Sequence, residues 1–423
     1  MSETNQPRYS LFRCSDATFL LCAGLLDLLT RLPLLWIDVT PASDFEWYFA
    51  RATGIAQGIG YAQAGILTAF WPVGWPGFLG GLLWLFGPSV VVGQYANLVL
   101  SVIVVWLITL IGTRLFGDRR VGRLAALIIT LLPNQIGYVP LLSAEIFFEF
   151  LLLLGFFLVL RESTAGLLMA GCVFGVSALT KSQAILLPAV IALPLLDVRG
   201  GHRGLGRMAR TTLLMGIPMI IVVLPWTMRN HQVFDAWIPI STNGGITLLT
   251  GNNPSARGGF TAGDPLVTDL SVKQEDQVQA DRTARERAVR WMVQNPVGFL
   301  KLIPLKVLRL WTGDGEAEWM YQRGYAGYDS HVVAFRAFRV LNQACYWLVL
   351  LLAAASSRPM LRRSRSLSPW CFTGWALFGY ITAISIVFSG QSRFHFALMP
   401  FVALYASWRL MFRVSASGTA NGP

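Results

Sequence analysis

Leu-rich apolar runs, separated by short polar intervals, fill most of this 423-residue chain. The runs are continuous rather than alternating, which predicts helices and not the strands of a barrel. They fall at about residues 17–37, 89–112, 122–140, 144–160, 165–180, 183–197, 211–227, 332–356, 368–389 and 395–413. The surplus apolar surface must face lipid, where only helices and closed barrels satisfy the backbone. The expected fold is an all-α polytopic membrane protein of about ten transmembrane helices. Two apolar stretches stand apart. Residues 70–87 (FWPVGWPGFLGGLLWLFG) are rich in Gly and Pro and read as juxtamembrane or re-entrant. Residues 297–311 (VGFLKLIPLKVLRLW) are short, contain Pro304, and place Lys301, Lys306 and Arg309 on one side of a helical wheel, as in an interfacial helix.

The basic residues fix an expected topology. Arg8 and Arg13 precede the first run, so the N-terminus is expected in the cytoplasm. That run is longer than the apolar core of a signal peptide and lacks a small-residue cleavage site, so no cleavable signal is expected. Alternation then gives the cytoplasm Arg114, Arg119 and Arg120, next Arg161, next Arg199, Arg203, Arg207 and Arg210, and next Arg358, Arg362, Arg363 and Arg365. The C-terminal tail, beginning near Arg413, also falls inside. Counting residues 70–87 or 297–311 as spans would turn such clusters outward. Two substantial outer segments result, 38–88 and 228–331. The chain thus divides into a transmembrane module with an acidic outer loop (1–227), an outer cap with an interfacial helix (228–331), and C-terminal transmembrane helices (332–423).

Composition agrees with this reading. Hydrophobic residues make up 54% and charged residues 13%, against about 25% charged in soluble domains, and the mean hydropathy is +0.54. A net charge of +12 suggests nucleic acid only until the arginines are placed; they sit in short clusters between spans, so no nucleic-acid partner is expected. The five cysteines (Cys14, Cys22, Cys172, Cys345, Cys371) show no metal-ligand spacing and read as small buried hydrophobes.

Candidate chemistry gathers on the outer side. Asp44 and Glu46 stand just beyond the first span, with Tyr48 one turn after Asp44. Carboxylates above a membrane surface can deprotonate or orient an acceptor hydroxyl; alternatively, Ser43-Asp44 caps a helix beginning at Phe45. Lys181 and Arg393 break the positive-inside rule, and Arg229 opens a long outer loop. Such cations suit the binding of a lipid phosphate, with snorkelling to headgroups as the plainer alternative. Glu145 reads as a second acid, a partner for one of these cations, or a cap of its helix. His395 reads as a buried or interfacial histidine, and Asp27 with Arg31 as an i,i+4 pair that satisfies itself. The chain carries no Gly-rich nucleotide loop, and an outer site favours a lipid-linked donor, because nucleotide sugars are cytoplasmic.

These motifs, in this order, resemble the C-type (GT-C) glycosyltransferases, particularly family 39, which includes the protein O-mannosyltransferases and the lipid A aminoarabinose transferases. The resemblance rests on Asp44 and Tyr48, on Gly58 to Tyr61, and on Trp71-Pro72-Val73-Gly74-Trp75-Pro76. It continues through Leu132-Pro133-Asn134, Ser143-Ala144-Glu145, Leu179 to Gln183, Leu186-Leu187-Pro188, Pro225 to Asn230, Gly251-Asn252-Asn253-Pro254 and Ser392-Arg393-Phe394. It implies a membrane glycosyltransferase that moves a sugar from a polyprenyl phosphate to a glycan, lipid or protein acceptor. It further implies an extracytoplasmic site in the plasma (inner) membrane, with Asp44 as catalytic acid. Glu46, Glu145 and Tyr48 would support it, and Lys181, Arg229 and Arg393 would hold the donor phosphate. Two departures stand out: Val73 separates Pro72 from Gly74, and Phe45 occupies the place of the usual second acid. No metal site and no required cofactor are expected, although the acidic loop leaves room for a divalent ion. The rivals are a transporter or flippase for a lipid-linked saccharide, and an inactive relative that binds lipid-linked sugar.

Overall fold

The computed structural model describes residues 14–196, 202–260, 264–265 and 276–420, with side chains to residue 412. Arg8, Arg13 and Arg199 of the topology reading lie outside the described residues, and the side chain of Arg413 does too. Seventeen α-helices and one two-stranded hairpin make up the described chain, linked by short 3₁₀ turns. The first is α1 (Asp16–Arg31), capped by the Ser15 side chain and followed by a 3₁₀ turn, Leu32–Trp36, that opens on Pro33. Residues 38–88 then fold into α2 (Asp44–Ala56), the hairpin β1 (Ala62–Gln63) and β2 (Ile66–Leu67) with Ala62 opposite Leu67, and α3 (Gly74–Phe86). Next come α4 (Val90–Phe116), α5 (Arg119–Leu131), α6 (Pro133–Gly137), α7 (Glu145–Val159), α8 (Thr164–Thr180), α9 (Leu187–Ala192) and α10 (His202–Phe234). The cap contributes α11 (Gly244–Gly251), α12 (Gln277–Gln294), α13 (Pro296–Trp311) and α14 (Ala317–Gly324). The chain ends with α15 (Val332–Arg362), α16 (Thr373–Val387) and α17 (Met399–Ala420).

Helices occupy all ten apolar segments, and five helical stretches are long and apolar enough to cross a membrane: Asp16–Trp36, Val90–Phe116, His202–Phe234, Asp329–Arg362 and Pro369–Val387. The protein is an all-α integral membrane protein. Segments in the middle of the chain form shorter helices for physical reasons. Pro133 lacks an N–H, so the expected span at 122–140 breaks into α5 and α6. The 15 residues of α7 rise only about 22 Å, less than a bilayer core of about 30 Å. Almost every side chain of α7 is buried by protein instead: Phe156 meets Phe401 of α17, and Gly155 lies against Phe174 of α8.

The buried charges are more extensive than one i,i+4 pair. Asp27 and Arg31 do pair, but Ser101 also donates to Asp27 (2.7 Å), and Arg31 donates to the carbonyls of Thr130 (3.1 Å) and Ile129 (3.4 Å). Glu149 of α7, which the sequence reading passed over, stands nearby and accepts from Gln135 (3.2 Å). Two of the five cysteines, Cys22 and Cys172, are exposed on helix surfaces that the apolar runs give to lipid, which corrects the expectation that all are buried.

Lys306 requires a second correction. It does not share the outward face of α13 with Lys301 and Arg309; it is 0% exposed, aligned with Leu302 and Leu310 on the face that packs inward. Its amine donates to Asn252 Oδ1 (2.7 Å) and to the carbonyl of Ile386 (3.0 Å). It thereby caps the C-terminal end of α16, where unpaired carbonyls and the helix dipole favour a cation. Leu300, Leu305 and Leu308 remain exposed beside Lys301 and Arg309, so the outward face keeps an interfacial character.

Burial pushes the Lys306 amine down to about 8 from its usual 10.5. Between those values the unfolded chain holds a proton that the folded chain has released, so this residue makes stability rise with pH through that window. The melting temperature of the wild type, measured against Lys306→Met, is expected to increase between pH 8 and pH 10. A flat difference would mean that Lys306 titrates normally.

Candidate functional site

The site begins at the first turn of α2. Ser43 sits at positive φ (58°) and makes no side-chain cap, and the helix starts at Asp44 itself. Asp44 is therefore no cap. Its carboxylate Oδ2 accepts from Arg393 Nη1 at 2.7 Å, joining the first outer loop to the turn before α17 across most of the chain. Phe45, at the place of the usual second acid, points the other way. It is 4% exposed and packs in a cluster with Val39, Trp75 and Leu79. Glu46 is exposed and stands apart from the Asp44–Arg393 pair.

The second ion pair joins Glu145, the first residue of α7, to Lys181, the residue after α8: Nζ to Oε1 is 2.8 Å. The two pairs form one electrostatic cluster, because Glu145 also acts on Arg393 and both carboxylates act on Tyr48. Burial, helped by Asp44, raises the Tyr48 phenol well above its usual range, so it keeps its proton. The Tyr48 hydroxyl makes no hydrogen bond to any described residue and remains available as a donor. Burial opposes the charge of Arg393, but Asp44, Glu145 and Glu316 together outweigh it and hold the guanidinium well above its ordinary value. Only one of its N–H groups is spent on Asp44, and its side chain is 29% exposed, which leaves donors for a ligand anion.

Several motif residues serve as supports. A side chain at Gly74 would collide with Leu179 and Thr180, so glycine lets α3 rest on the end of α8 beside Lys181. Trp75, fully buried, donates to Leu142 O (3.0 Å), and Asn97 donates to Val139 O and Leu141 O. Together they pin the loop that delivers Ser143-Ala144-Glu145. Asn134 takes its place beside Asp314 and Asn342. Asn252 donates to Val387 O (2.8 Å), and Gly390, whose added Cβ would strike Lys306 O, donates to Gly258 O (2.9 Å). The segment leading to Arg393 is thus clamped between the Asn252–Gly258 loop and α13. His395 is fully buried, stacked between Trp311 and Tyr346, with Nδ1 against Leu310 O (2.6 Å).

Arg229 forms no ion pair with Asp44 or Glu145. Its guanidinium donates to Thr68 O (2.8 Å) and Tyr61 O (3.2 Å) and lies over Trp226, which ties α10 to the first outer loop. Glu316 is the residue that sequence reasoning missed. It accepts from Ser392 N (3.0 Å) and bears electrostatically on Arg393. The signal lay in the acidic, glycine-rich run Gly313-Asp314-Gly315-Glu316, inside a segment read only as cap. Glu316→Ala is expected to reduce activity about tenfold, while Glu316→Gln, which keeps an acceptor for Ser392 N–H, retains more of it. Equal losses in the two variants would show that the charge of Glu316 matters and the hydrogen bond does not. Among the described residues, no three of His, Cys, Asp and Glu gather as metal ligands would.

Residues 72–227 match the family described as dolichyl-phosphate-mannose-protein mannosyltransferase. In structure, the oligosaccharyltransferase AglB from Archaeoglobus fulgidus, in complex with an inhibitory peptide and a dolichol-phosphate, superposes over 98% of this chain with a TM-score of 0.56 at 15% identity. The resemblance to the GT-C membrane glycosyltransferases holds. The shared fold extends over 97% of the chain in a second AglB structure, tethered with an acceptor peptide, with a TM-score of 0.57 at 14% identity. The chain covers 52% and 50% of these two AglB chains, so it spans about half their length. ArnT from Cupriavidus metallidurans bound to undecaprenyl phosphate gives a TM-score of 0.40 at 14% identity, over 95% of this chain and 78% of that one. None of the curated proteins matches the chain in sequence.

Proposed function

We propose that this protein is a glycosyltransferase that moves a sugar from a polyprenyl phosphate to an acceptor hydroxyl at the extracytoplasmic face of the plasma membrane. The observation that carries the reading is the convergence of Asp44, Glu145, Lys181 and Arg393, drawn from four separate segments, into two linked ion pairs at helix ends. In the proposed step the acceptor oxygen attacks the anomeric carbon, the bond from that carbon to the phosphate oxygen breaks, and the electron pair leaves with the polyprenyl phosphate. The acceptor proton passes to Asp44, and inversion follows from attack opposite the leaving group. Lys181 and the unspent N–H groups of Arg393 meet the phosphate charge as it develops. Arg229 serves by holding the first outer loop in place.

A recess lined by Phe148, Leu152, Leu187, Tyr380 and Phe394 runs beside this cluster. Phe148 lies 5.7 Å from the Lys181 amine and Phe394 follows Arg393 in sequence, so these rings place an apolar wall beside both cations. The buried charges Asp27 and Arg31 are sealed at 0% and 1% exposure and neutralise each other, which suits a structural latch better than a transport path. The test is transfer of radiolabelled sugar from a polyprenyl-phosphate donor by the purified full-length protein. Label appearing on an acceptor supports the reading. Movement of intact lipid-linked sugar between leaflets, with no bond broken, would replace it with a flippase.

A further inference from the structure

Three of the cations at the first outer loop already have anionic or carbonyl partners. Arg393 pairs with Asp44, Lys181 pairs with Glu145, and Arg229 is bound to two carbonyls. Arg51 is the exception. It forms no ion pair among the described residues, and its Nε is buried without a hydrogen-bond partner. Its guanidinium lies over the Trp47 ring, 5.1 Å from the centroid. Asp44, Trp47, Tyr48 and Arg51 occupy positions i, i+3, i+4 and i+7 of α2 and so share one face of that helix. The half-buried rings on this face pack against Trp71: Trp47 edge to face at 5.0 Å and Tyr48 tilted at 5.7 Å.

We propose that Arg51, with the Trp47 and Trp71 rings, forms a subsite for a negatively charged group carried by the saccharide, one sugar ring away from the carbon that reacts. This rests on the reading of Asp44 as the reacting centre. The seven residues from Asp44 to Arg51 advance about 10 Å along the helix, the length of a hexose with a phosphate at its far end. The Trp47 π-system already holds the guanidinium in position, and the neighbouring Trp71 indole offers a flat apolar surface to the C–H face of a pyranose. A planar guanidinium with unspent donors prefers a phosphate or carboxylate, which it grips with two parallel hydrogen bonds. The charge belongs either to the sugar portion of a substrate or to the lipid phosphate, and the geometry favours the sugar because Arg393 and Lys181 already stand by Asp44.

The experiment is a tryptophan-fluorescence titration of the full-length protein in detergent with glucose, glucose 6-phosphate and undecaprenyl phosphate. The wild type is expected to bind glucose 6-phosphate about tenfold more tightly than glucose. Arg51→Gln should erase that preference and leave undecaprenyl phosphate binding unchanged, and Arg51→Lys should restore part of it. A wild type that does not distinguish the two sugars overturns the proposal, whatever the variants do. So does an Arg51→Gln variant that keeps the preference, or one that loses undecaprenyl phosphate instead, which would assign Arg51 to the lipid. Failure of the wild type to bind undecaprenyl phosphate, with the sugar preference intact, would sink the polyprenyl donor and spare the subsite.

Discussion

Asp44→Asn is expected to abolish sugar transfer while the protein still inserts and folds. The substitution keeps the shape of the side chain and an oxygen for Arg393 to bind, so the architecture around the 2.7 Å contact has little reason to change. What disappears is the ability to take a proton. General bases contribute about 10²–10⁴-fold to rate, and here the lost charge also weakens the hold on Arg393, so the upper end of that range is expected. The measurement is label transfer by purified variant and wild type at matched amounts, with a melting curve to show intact folding. A variant with near-normal transfer would remove Asp44 from the chemistry and leave Glu145 as the next candidate.

Arg393→Gln is expected to cost both binding and structure. Three acidic residues bear on this guanidinium: Asp44 directly, and Glu145 and Glu316 electrostatically across the cluster. Removing it strands carboxylates in a partly dry site, at about 2 kcal/mol of stability, less than for a fully enclosed pair because Arg393 is partly exposed. Affinity for undecaprenyl phosphate should fall at least tenfold, and transfer should fall further. The double variant Asp44→Asn with Arg393→Gln should be more stable than the two single losses added together, since neutralising Asp44 removes one stranded charge. Strict additivity in a double-mutant cycle would mean that the contact between them contributes nothing. Retained phosphate binding in the single variant would move the lipid phosphate away from Arg393.

Much of the architecture could be read from the chain because apolar density is a strong signal. Each of the ten runs became helix, and the juxtamembrane reading of residues 70–87 met a short apolar helix that rests on α2 and α8. The losses have identifiable causes. A helical wheel shows that Lys306 neighbours Lys301 and Arg309, but it cannot show that α16 ends just where the amine could cap it. Pro133 was visible, yet only the packing of α5 against α4 and α17 shows that the helix stops there. Asp44, Lys181 and Arg393 were singled out one at a time, from position and resemblance; Arg393 finds Asp44 across 349 residues, and Lys181 finds Glu145 across 36. Glu316 and Glu149 escaped because an acidic residue within a cap or an apolar run carries no local mark of its partner. Arg229 was noticed for its charge, whereas its work is done on backbone carbonyls that no sequence pattern displays.

The inward orientation of Phe45 has a practical consequence for redesign. Anyone hoping to rebuild a two-acid centre by installing aspartate at that position would be planting a charge inside a greasy knot of aromatic and aliphatic groups, with folding as the casualty. A second carboxylate near the arginine already comes from the opposite bank, where residue 316 accepts from the backbone next to it.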